Sequence, residues 1–266
     1  MTLHHNEFLN GSKLIEMKTL LKLLLLTFIL NTGWSVETQA QQNRDNKLSK
    51  VEKKEGWILM FNGKNTKDWR GFNRHDVPGV WAASDGTLYC KGISNDDTGS
   101  GQKGLIMYAW QFSNFHLKVD WKISKGGNSG IFYLGAEEGY TSIVQTAPEL
   151  QVLDNERHPD AKKGKNGNRK SGALYDLIPA DPQNANPAGE WNSVEIIVKD
   201  GHVKHIMNGE EILSFELWTE EWKELVSGSK FPKIREDWYD VPRKGYIGLQ
   251  DHGDDVWFKN LKIRKL

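Results

Sequence analysis

Polar side chains that could carry out acid–base chemistry occur in two short segments far apart in the chain. In PELQVLD, Glu149 and Gln151 alternate with aliphatic residues. In GYIGLQDHG, Gln250 and His252 follow the same alternation. Because side chains two positions apart on a strand point to the same side, each segment predicts a strand with one apolar and one polar face. An acid, an imidazole and two amides on a sheet face would suit the binding of a sugar.

His252 is the first candidate for a general base, because an imidazole titrates near neutral pH and can take up a proton and return it. Glu149 is the second candidate, either as a base or as an orienting group. Gln151 and Gln250 are candidates for binding substrate hydroxyls. Simpler roles stay open: His252 could cap a turn in QDHGDD, and Glu149 could be an exposed carboxylate at a strand edge.

A third segment, FHLKVDWKIS, alternates most regularly and places Asp120 and Lys122 on its polar face. A lysine beside a developing oxyanion would stabilise the negative charge. Both residues are therefore candidate catalytic groups. A cross-strand ion pair explains the same residues equally well.

Further polar residues flank glycines, where a backbone can approach a ligand closely. Candidate substrate-binding residues of this kind are Asn128, Ser129 and Tyr175, and Asp154 is added at the end of its strand. Hydrogen bonding within turns and strand edges is the alternative. The remaining histidines alternate with lysines and are predicted to face solvent: His116, His202 and His205.

Several acidic residues and one histidine could supply ligands for a calcium-like ion. They are Asp154, His158, Asp251, Asp254 and Asp255. Their spacing matches no compact ligand motif. The sequence therefore firmly implies no metal site and no cofactor, and a divalent cation such as calcium stays open.

Short apolar or alternating runs, separated by Gly, Asn and Asp, follow one another from Gly56 to the end of the chain. Many strands with turn residues between them predict an all-β fold, a sandwich or jelly roll of two antiparallel sheets. The pairs Asp200-Gly201 and Asn208-Gly209 predict the two turns of a three-stranded meander.

One short helix and one long loop interrupt this pattern. The helix is predicted between Thr219, which can cap it, and Gly228, which ends it. The basic, glycine-rich stretch 155–171 is predicted to be a surface loop directly after the Gln151 strand. It is either the rim of a site on that sheet face or an inert excursion.

The segment from Met17 to Ala40 has the parts of a secretory signal: two lysines, an apolar run and a small-residue ending. The run is too short to span a bilayer comfortably, so we expect cleavage after Ala40, with Met17 as the true start. A retained membrane anchor is the alternative. Residues 41–54 are polar and unpatterned, which predicts a spacer before a single domain over 55–266.

Charge and cysteine content bear on the partners and the covalent cross-links of the protein. The chain has 35 basic and 35 acidic residues, so nothing favours nucleic acid or an anionic membrane as a partner. Cys90 is the only cysteine, which excludes an intrachain disulfide even after export. The 11 tryptophans could stack on sugar rings, but most are expected in the core.

A linear set of motifs over about residues 55–266 resembles the 3-keto-disaccharide hydrolase domain family, formerly catalogued as a domain of unknown function. The motifs are GWILMFNGKNTKDWRGF, NSGIFYLG, ELQVLDNERHPDAKKGKNGNRKSGALYDL, GEWNSVEI, MNGEE, SKF and IGLQDHGDDVWFKNLKIRKL. The resemblance implies a concanavalin-like fold of two sheets.

The resemblance also implies a substrate whose pyranose C3 has been oxidised to a ketone by a partner oxidoreductase. The ketone acidifies the proton on C2, and once that proton leaves, the glycosidic oxygen on C1 departs by elimination. Water then adds back. This route needs a base near C2, donors or a cation for the enolate oxygen, and an acid for the leaving group.

We therefore expect an exported enzyme, in the periplasm or outside the cell, that cleaves 3-keto-glycosides of small-molecule or oligosaccharide size. Two alternatives stay open. One is a non-catalytic carbohydrate-binding module on the same fold, because fold does not determine function. The other is a conventional glycosidase that uses two of Glu149, Asp120 and Asp154 as flanking carboxyl groups.

Overall fold

The computed structural model describes residues 45–92 and 104–266. The signal peptide and the start at Met17 lie outside these ranges. The strands are β1 Ile58–Leu59, β2 Trp69–Gly71, β3 Trp81–Ser84, β4 Thr87–Cys90, β5 Ile106–Phe112, β6 Phe115–Ile123, β7 Asn128–Gly135, β8 Glu149–Leu153, β9 Asn192–Lys199, β10 His202–Met207, β11 Glu210–Glu216, β12 Gly245–Leu249 and β13 Val256–Lys265. The helices are α1 Lys50–Lys54 and α2 Glu220–Ser227, with 3-10 turns at Ile143–Gln145, Pro159–Lys162 and Phe231–Lys233.

The strands form two antiparallel sheets, as the sequence predicts. One sheet has eight strands in the order β11-β10-β9-β6-β13-β4-β3, with β1 also paired to β13. The other has five strands in the order β2-β5-β12-β7-β8. The protein is thus an all-β, concanavalin-like sandwich. The part of the chain that the structure describes contains no helix long and apolar enough to cross a membrane.

The core lies between the two sheets and follows from the alternation in the strands. In β6 every second side chain is buried, from Phe115 through Trp121 to Ile123. The five-stranded sheet contributes residues such as Ile131 and Leu150 to the same cluster. Burying these apolar faces is the main driving force for folding, at about 25 cal/mol per Å².

The outer face of the five-stranded sheet has an apolar end and a polar end. At the apolar end, Met107 and Phe132 pack under the 3-10 turn Ile143–Gln145. At the polar end, β8 pairs with β7 so that Gln151 lies opposite Gly130. The backbone amide of Gln250 donates a hydrogen bond to the backbone carbonyl of Gly130 at 2.9 Å. The consecutive strands β7 and β8 therefore meet the residue that follows β12, which is distant in sequence.

The meander and the helix form where the sequence predicts them. β9, β10 and β11 are adjacent, and both residues of each turn have positive φ: 51° and 96° at Asp200 and Gly201, and 51° and 86° at Asn208 and Gly209. Such values are those of tight hairpin turns, which favour Asp-Gly and Asn-Gly. The side chain of Thr219 accepts a hydrogen bond from the amide of Trp222 and caps α2.

Two features differ from the prediction. His205 is fully buried and not solvent-facing, because it shares a strand face with the buried Val203 and Met207. Part of the stretch predicted as an unpatterned spacer is the helix α1, which a reciprocal capping box between Ser49 and Glu52 begins.

Candidate functional site

Glu149 lies directly over the backbone of Gly130 at the polar end of the five-stranded sheet. A Cβ atom at position 130 would be 1.9 Å from Oε1 of Glu149, so only glycine leaves room for this carboxyl group. The side chain is 7% exposed and makes no hydrogen bond to the described part of the chain. Burial raises the pKa of Glu149 to about 8, against the opposing effect of the Lys230 ammonium group.

The side of the site next to this carboxyl group, called the charged wall below, consists of Asp160, Arg169, Tyr175 and Lys230. Tyr175 donates its hydroxyl to Asp160 at 2.9 Å, and Arg169 donates to the other oxygen of Asp160 at 3.0 Å. Burial opposes ionisation of Asp160, but these two hydrogen bonds, together with the positive charges of Arg169 and Lys163, lower its pKa. The Lys230 ammonium lies 4.1 Å from the centre of the Tyr175 ring, and burial lowers its pKa. The wall places a cation within electrostatic reach of Glu149.

Three amide side chains around the carboxyl group have buried carbonyl oxygens that find no hydrogen-bond partner within residues 45–92 and 104–266. They belong to Asn128, Gln151 and Gln250. Gln151 is 1% exposed, and its amide nitrogen donates weakly to the carbonyl of Arg169 at 3.4 Å. A buried acceptor without a partner is unfavourable, so these oxygens are suited to accept hydrogen bonds from a bound ligand.

A second cluster lies at the edge of the same face, where His158 meets His252 and Asp254. The ligand atoms of the three side chains lie within 4.8 Å of one another. The two imidazole rings pack edge to face with their centres 5.9 Å apart. Asp254 raises the pKa of His252, whereas burial and the neighbouring His252 lower the pKa of His158. Asp160 is within electrostatic reach of His252 and of Glu149, which joins both clusters into one site.

The other three acidic residues considered as metal ligands hold loops in place. Asp154 accepts hydrogen bonds from the amides of Gly126 and Glu156 and from Arg157. Asp251 accepts from the amides of Gly104 and Gly253. The third residue, Asp255, accepts from the hydroxyl of Tyr89 and the amide of Gly92. A role of Asp154 in substrate binding is not supported by these contacts.

Asp120 and Lys122 do not join the site. They project from β6 on the outer face of the eight-stranded sheet, where Asp120 accepts from Asn260 at 2.7 Å. The ammonium of Lys122 lies 4.6 Å from the ring centre of Trp257. Both groups therefore have structural partners on the opposite side of the sandwich. Ser129 likewise has a structural partner: its fully buried hydroxyl donates a hydrogen bond to the backbone carbonyl of Gln250.

Sequence reasoning missed Asp160, Arg169 and Lys230. The first two lie in the loop that was predicted as a candidate rim, and Lys230 lies in the SKF motif. The position of Glu149 had a signal in the sequence: Gly130 lies inside a strand, and such a glycine often marks the close approach of another group. The partners of such a glycine are long-range contacts, which alternation does not reveal.

The family of the chain follows from comparisons with known proteins. The model of the family described as 3-keto-alpha-glucoside-1,2-lyase-like domain matches residues 56–264. The chain belongs to this family. A relative from Bacteroides thetaiotaomicron named 3-keto-disaccharide hydrolase is 43% identical over 229 residues, which is 80% of this chain and 79% of the relative.

Solved structures support the same grouping. A candidate glycosyl hydrolase of Parabacteroides distasonis superimposes with a TM-score of 0.73 at 37% identity, covering 84% of this chain and 100% of that one. A second candidate glycosyl hydrolase of the same species has a TM-score of 0.60 at 25% identity, covering 79% and 99%. This member of the lyase-like family is an enzyme of the glycosidic hydrolase type that acts on a small carbohydrate substrate.

Proposed function

We propose that the enzyme cleaves 3-keto-glycosides by elimination across C2 and C1, followed by addition of water. The observation that carries the proposal is Glu149, a buried carboxyl group whose pKa is raised to about 8. A base of that strength is better matched to the acidified C2 proton than an ordinary carboxylate, because an effective base has its pKa near the working pH.

In this mechanism Glu149 takes the proton from C2 and the electron pair of that bond forms the enolate. The C1–O bond then breaks, and the leaving oxygen takes up a proton. Water finally supplies a hydroxyl group to C1 and a proton to C2. Lys230, which is within electrostatic reach of Glu149, supplies positive charge near the developing enolate.

The unpartnered amides would hold the sugar during these steps. The carbonyl oxygens of Asn128, Gln151 and Gln250 accept hydrogen bonds from ring hydroxyls, which relieves three buried acceptors at once. Tyr175 shapes the wall of the site and keeps Asp160 ionised through its hydroxyl. His252 lies at the edge of the site, so the proposed base is Glu149 and not His252.

The site geometry favours elimination over two-carboxylate hydrolysis. Of the carboxyl groups considered for that reaction, Asp120 lies on the opposite sheet and Asp154 accepts several hydrogen bonds from its own loop. Of these three, only Glu149 faces the site without a hydrogen bond to any residue that the structure describes. A non-catalytic binding module would have no need for a buried carboxyl group held over a glycine.

The direct test is turnover by the purified chain of a 3-keto-glucoside and of its unoxidised parent. We expect the aglycone to be released from the keto compound alone. Release from the parent at a similar rate would support two-carboxylate hydrolysis. Sugar binding without turnover of either compound would support the binding-module alternative.

We further propose that a sugar 3-oxidoreductase supplies the substrate, because the ketone must be present before the elimination can begin. Export, with the periplasm as the expected location, rests on the sequence from Met17 to Ala40. The size and N-terminal sequence of the secreted chain would test it: the mature protein is expected to begin at Gln41.

A further inference from the structure

The cluster of His158, His252 and Asp254 is the part of the site where two imidazole groups lie beside a carboxylate. His158 comes from the loop after β8, and the other two follow β12, so the fold brings together residues that are far apart in sequence. Nδ1 of His252 is 3.8 Å from Oδ2 of Asp254, which is too long for a hydrogen bond. Two imidazoles and a carboxylate around one point form a common ligand set for transition metals.

Neighbouring groups orient this ligand set. The backbone amide of Asn128 donates a hydrogen bond to Oδ2 of Asp254 at 3.0 Å and so holds the carboxylate in place. The same residue is 5% exposed, and its Oδ1 is a buried acceptor without a partner. Hydrogen bonds that orient ligating carboxylates are a regular feature of metal sites. Through Asn128 the ligand set therefore adjoins the acceptor that is proposed above to bind a ring hydroxyl of the sugar.

We propose that His158, His252 and Asp254 bind one divalent transition-metal ion, of the Mn²⁺, Fe²⁺, Co²⁺ or Zn²⁺ class, at the edge of the active site. Two imidazole nitrogens favour these ions over Ca²⁺, which prefers oxygen ligands. Three protein ligands leave coordination positions open, as in catalytic sites. The role of the ion rests on the proposed function: as a Lewis acid it would polarise the C3 ketone and acidify the C2 proton.

Metal binding has a structural consequence at the start of the 3-10 turn Pro159–Lys162. Nδ1 of His158 accepts a hydrogen bond of 3.2 Å from the amide of Asp160. Coordination through Nδ1 would occupy its lone pair, and coordination through Nε2 would place the ring proton on Nδ1. Either mode ends this hydrogen bond, so the Asp160 amide should exchange its hydrogen faster in the metal-bound protein.

The test is calorimetric titration of the chelator-treated enzyme with MnCl₂, CoCl₂, ZnCl₂ and CaCl₂, with amide exchange at Asp160 as a second readout. We expect about one transition-metal ion per chain. His158→Ala, His252→Ala and Asp254→Asn should each weaken binding by about 100-fold or more. His202→Ala is the matched control, because the side chain of His202 is 42% exposed and pairs with Glu216 on the eight-stranded sheet.

Binding weaker than about 1 mM for all four ions, or binding that the three ligand variants do not change, overturns the proposal. Binding of Ca²⁺ alone does so as well. Metal-free enzyme that cleaves a 3-keto-glucoside at the full rate removes the catalytic role of the ion and leaves the proposed function intact. Metal binding as expected in an enzyme that cleaves no keto sugar supports the site and contradicts the proposed function.

Discussion

The two sheets carry polar residues on their outer faces in the same alternating pattern, yet these residues have different surroundings. On the eight-stranded sheet, Asp120 accepts from Asn260 and Lys122 lies over Trp257. On the five-stranded sheet, Glu149 is buried without a hydrogen bond to the described residues, and the amide oxygen of Gln151 has no partner. Polar groups on the first face stabilise the fold, whereas those on the second are available to a ligand.

Alternation therefore locates a polar face but does not indicate the function of that face. The deciding property is whether each polar group finds a partner within the protein. The buried, unpartnered groups of the five-stranded sheet lower stability, and such local conflicts are expected at functional sites. Substitutions on the two faces should therefore have opposite consequences for activity and stability.

The largest contrast should come from the two carboxyl groups. Glu149→Gln should lower kcat for a 3-keto-glucoside by about 1,000-fold, because a general base contributes about 10² to 10⁴ in rate. The matched Asp120→Asn variant should keep kcat within about twofold, since Asp120 lies on the other sheet. Steady-state kinetics on both variants measures this. Equal losses in the two variants would contradict the distinction between the faces.

A smaller effect is expected from Gly130→Ala, which leaves the carboxyl group intact but displaces it. The new Cβ would overlap Oε1 of Glu149, so kcat should fall by about 100-fold through misplacement of the base. Gly228→Ala is the control, because its Cβ would meet no atom closer than 3.6 Å. Normal kcat in the Gly130→Ala variant would show that the position of Glu149 does not matter.

The pH dependence of stability should reveal the raised pKa of Glu149. The native state keeps a proton that the unfolded chain loses above about pH 4.5, so the free energy of unfolding falls as pH rises towards 8. Between pH 6.5 and 8 the wild type should lose about 2 kcal/mol relative to Glu149→Gln. Urea unfolding at several pH values measures it, and parallel curves for the two proteins would contradict the raised pKa.

The window starts at pH 6.5 because His205 acts in the opposite direction below it. Burial lowers the pKa of His205 to about 4, so the unfolded chain binds the extra proton between pH 4 and 6.5. Its contribution to stability is present above pH 6.5 and is lost as pH falls through this range. Measuring above pH 6.5 separates the two groups.

The smallest effect belongs to the eight-stranded sheet. Lys122→Met should lower the free energy of unfolding by about 0.5 to 1 kcal/mol through loss of the cation–π contact with Trp257, and should leave kcat unchanged. Thermal or urea unfolding together with the kinetic assay tests both parts. A clear loss of kcat at unchanged stability would move Lys122 into the active site and remove the contrast.

Much of the fold was accessible from the sequence, because its signals are local. The alternation of β6, the Asp200-Gly201 turn and the Thr219 cap each depend on neighbours in sequence. The site was accessible in part: the alternation predicts that Glu149 and Gln151 share a polar face.

What the sequence could not show depends on contacts between distant residues. The pattern of Lys122 resembles that of Glu149, and only the sheet order assigns them to different sheets. The Asp160 carboxylate and the Lys230 ammonium reach the site from loops without any periodic pattern. The proposed metal ligands His158 and His252 likewise come together only because β8 and β12 lie in the same sheet.

The most direct test of elimination is the fate of the hydrogen on C2. The enzyme would cleave a 3-keto-glucoside in D₂O, and the released sugar would be examined by NMR or mass spectrometry at the earliest times. A control sample of the product kept without enzyme corrects for exchange beside the ketone. Our account predicts that water addition places one solvent deuteron on C2 in each turnover. A released sugar that retains its original C2 hydrogen beyond the control would contradict elimination and indicate direct hydrolysis at C1.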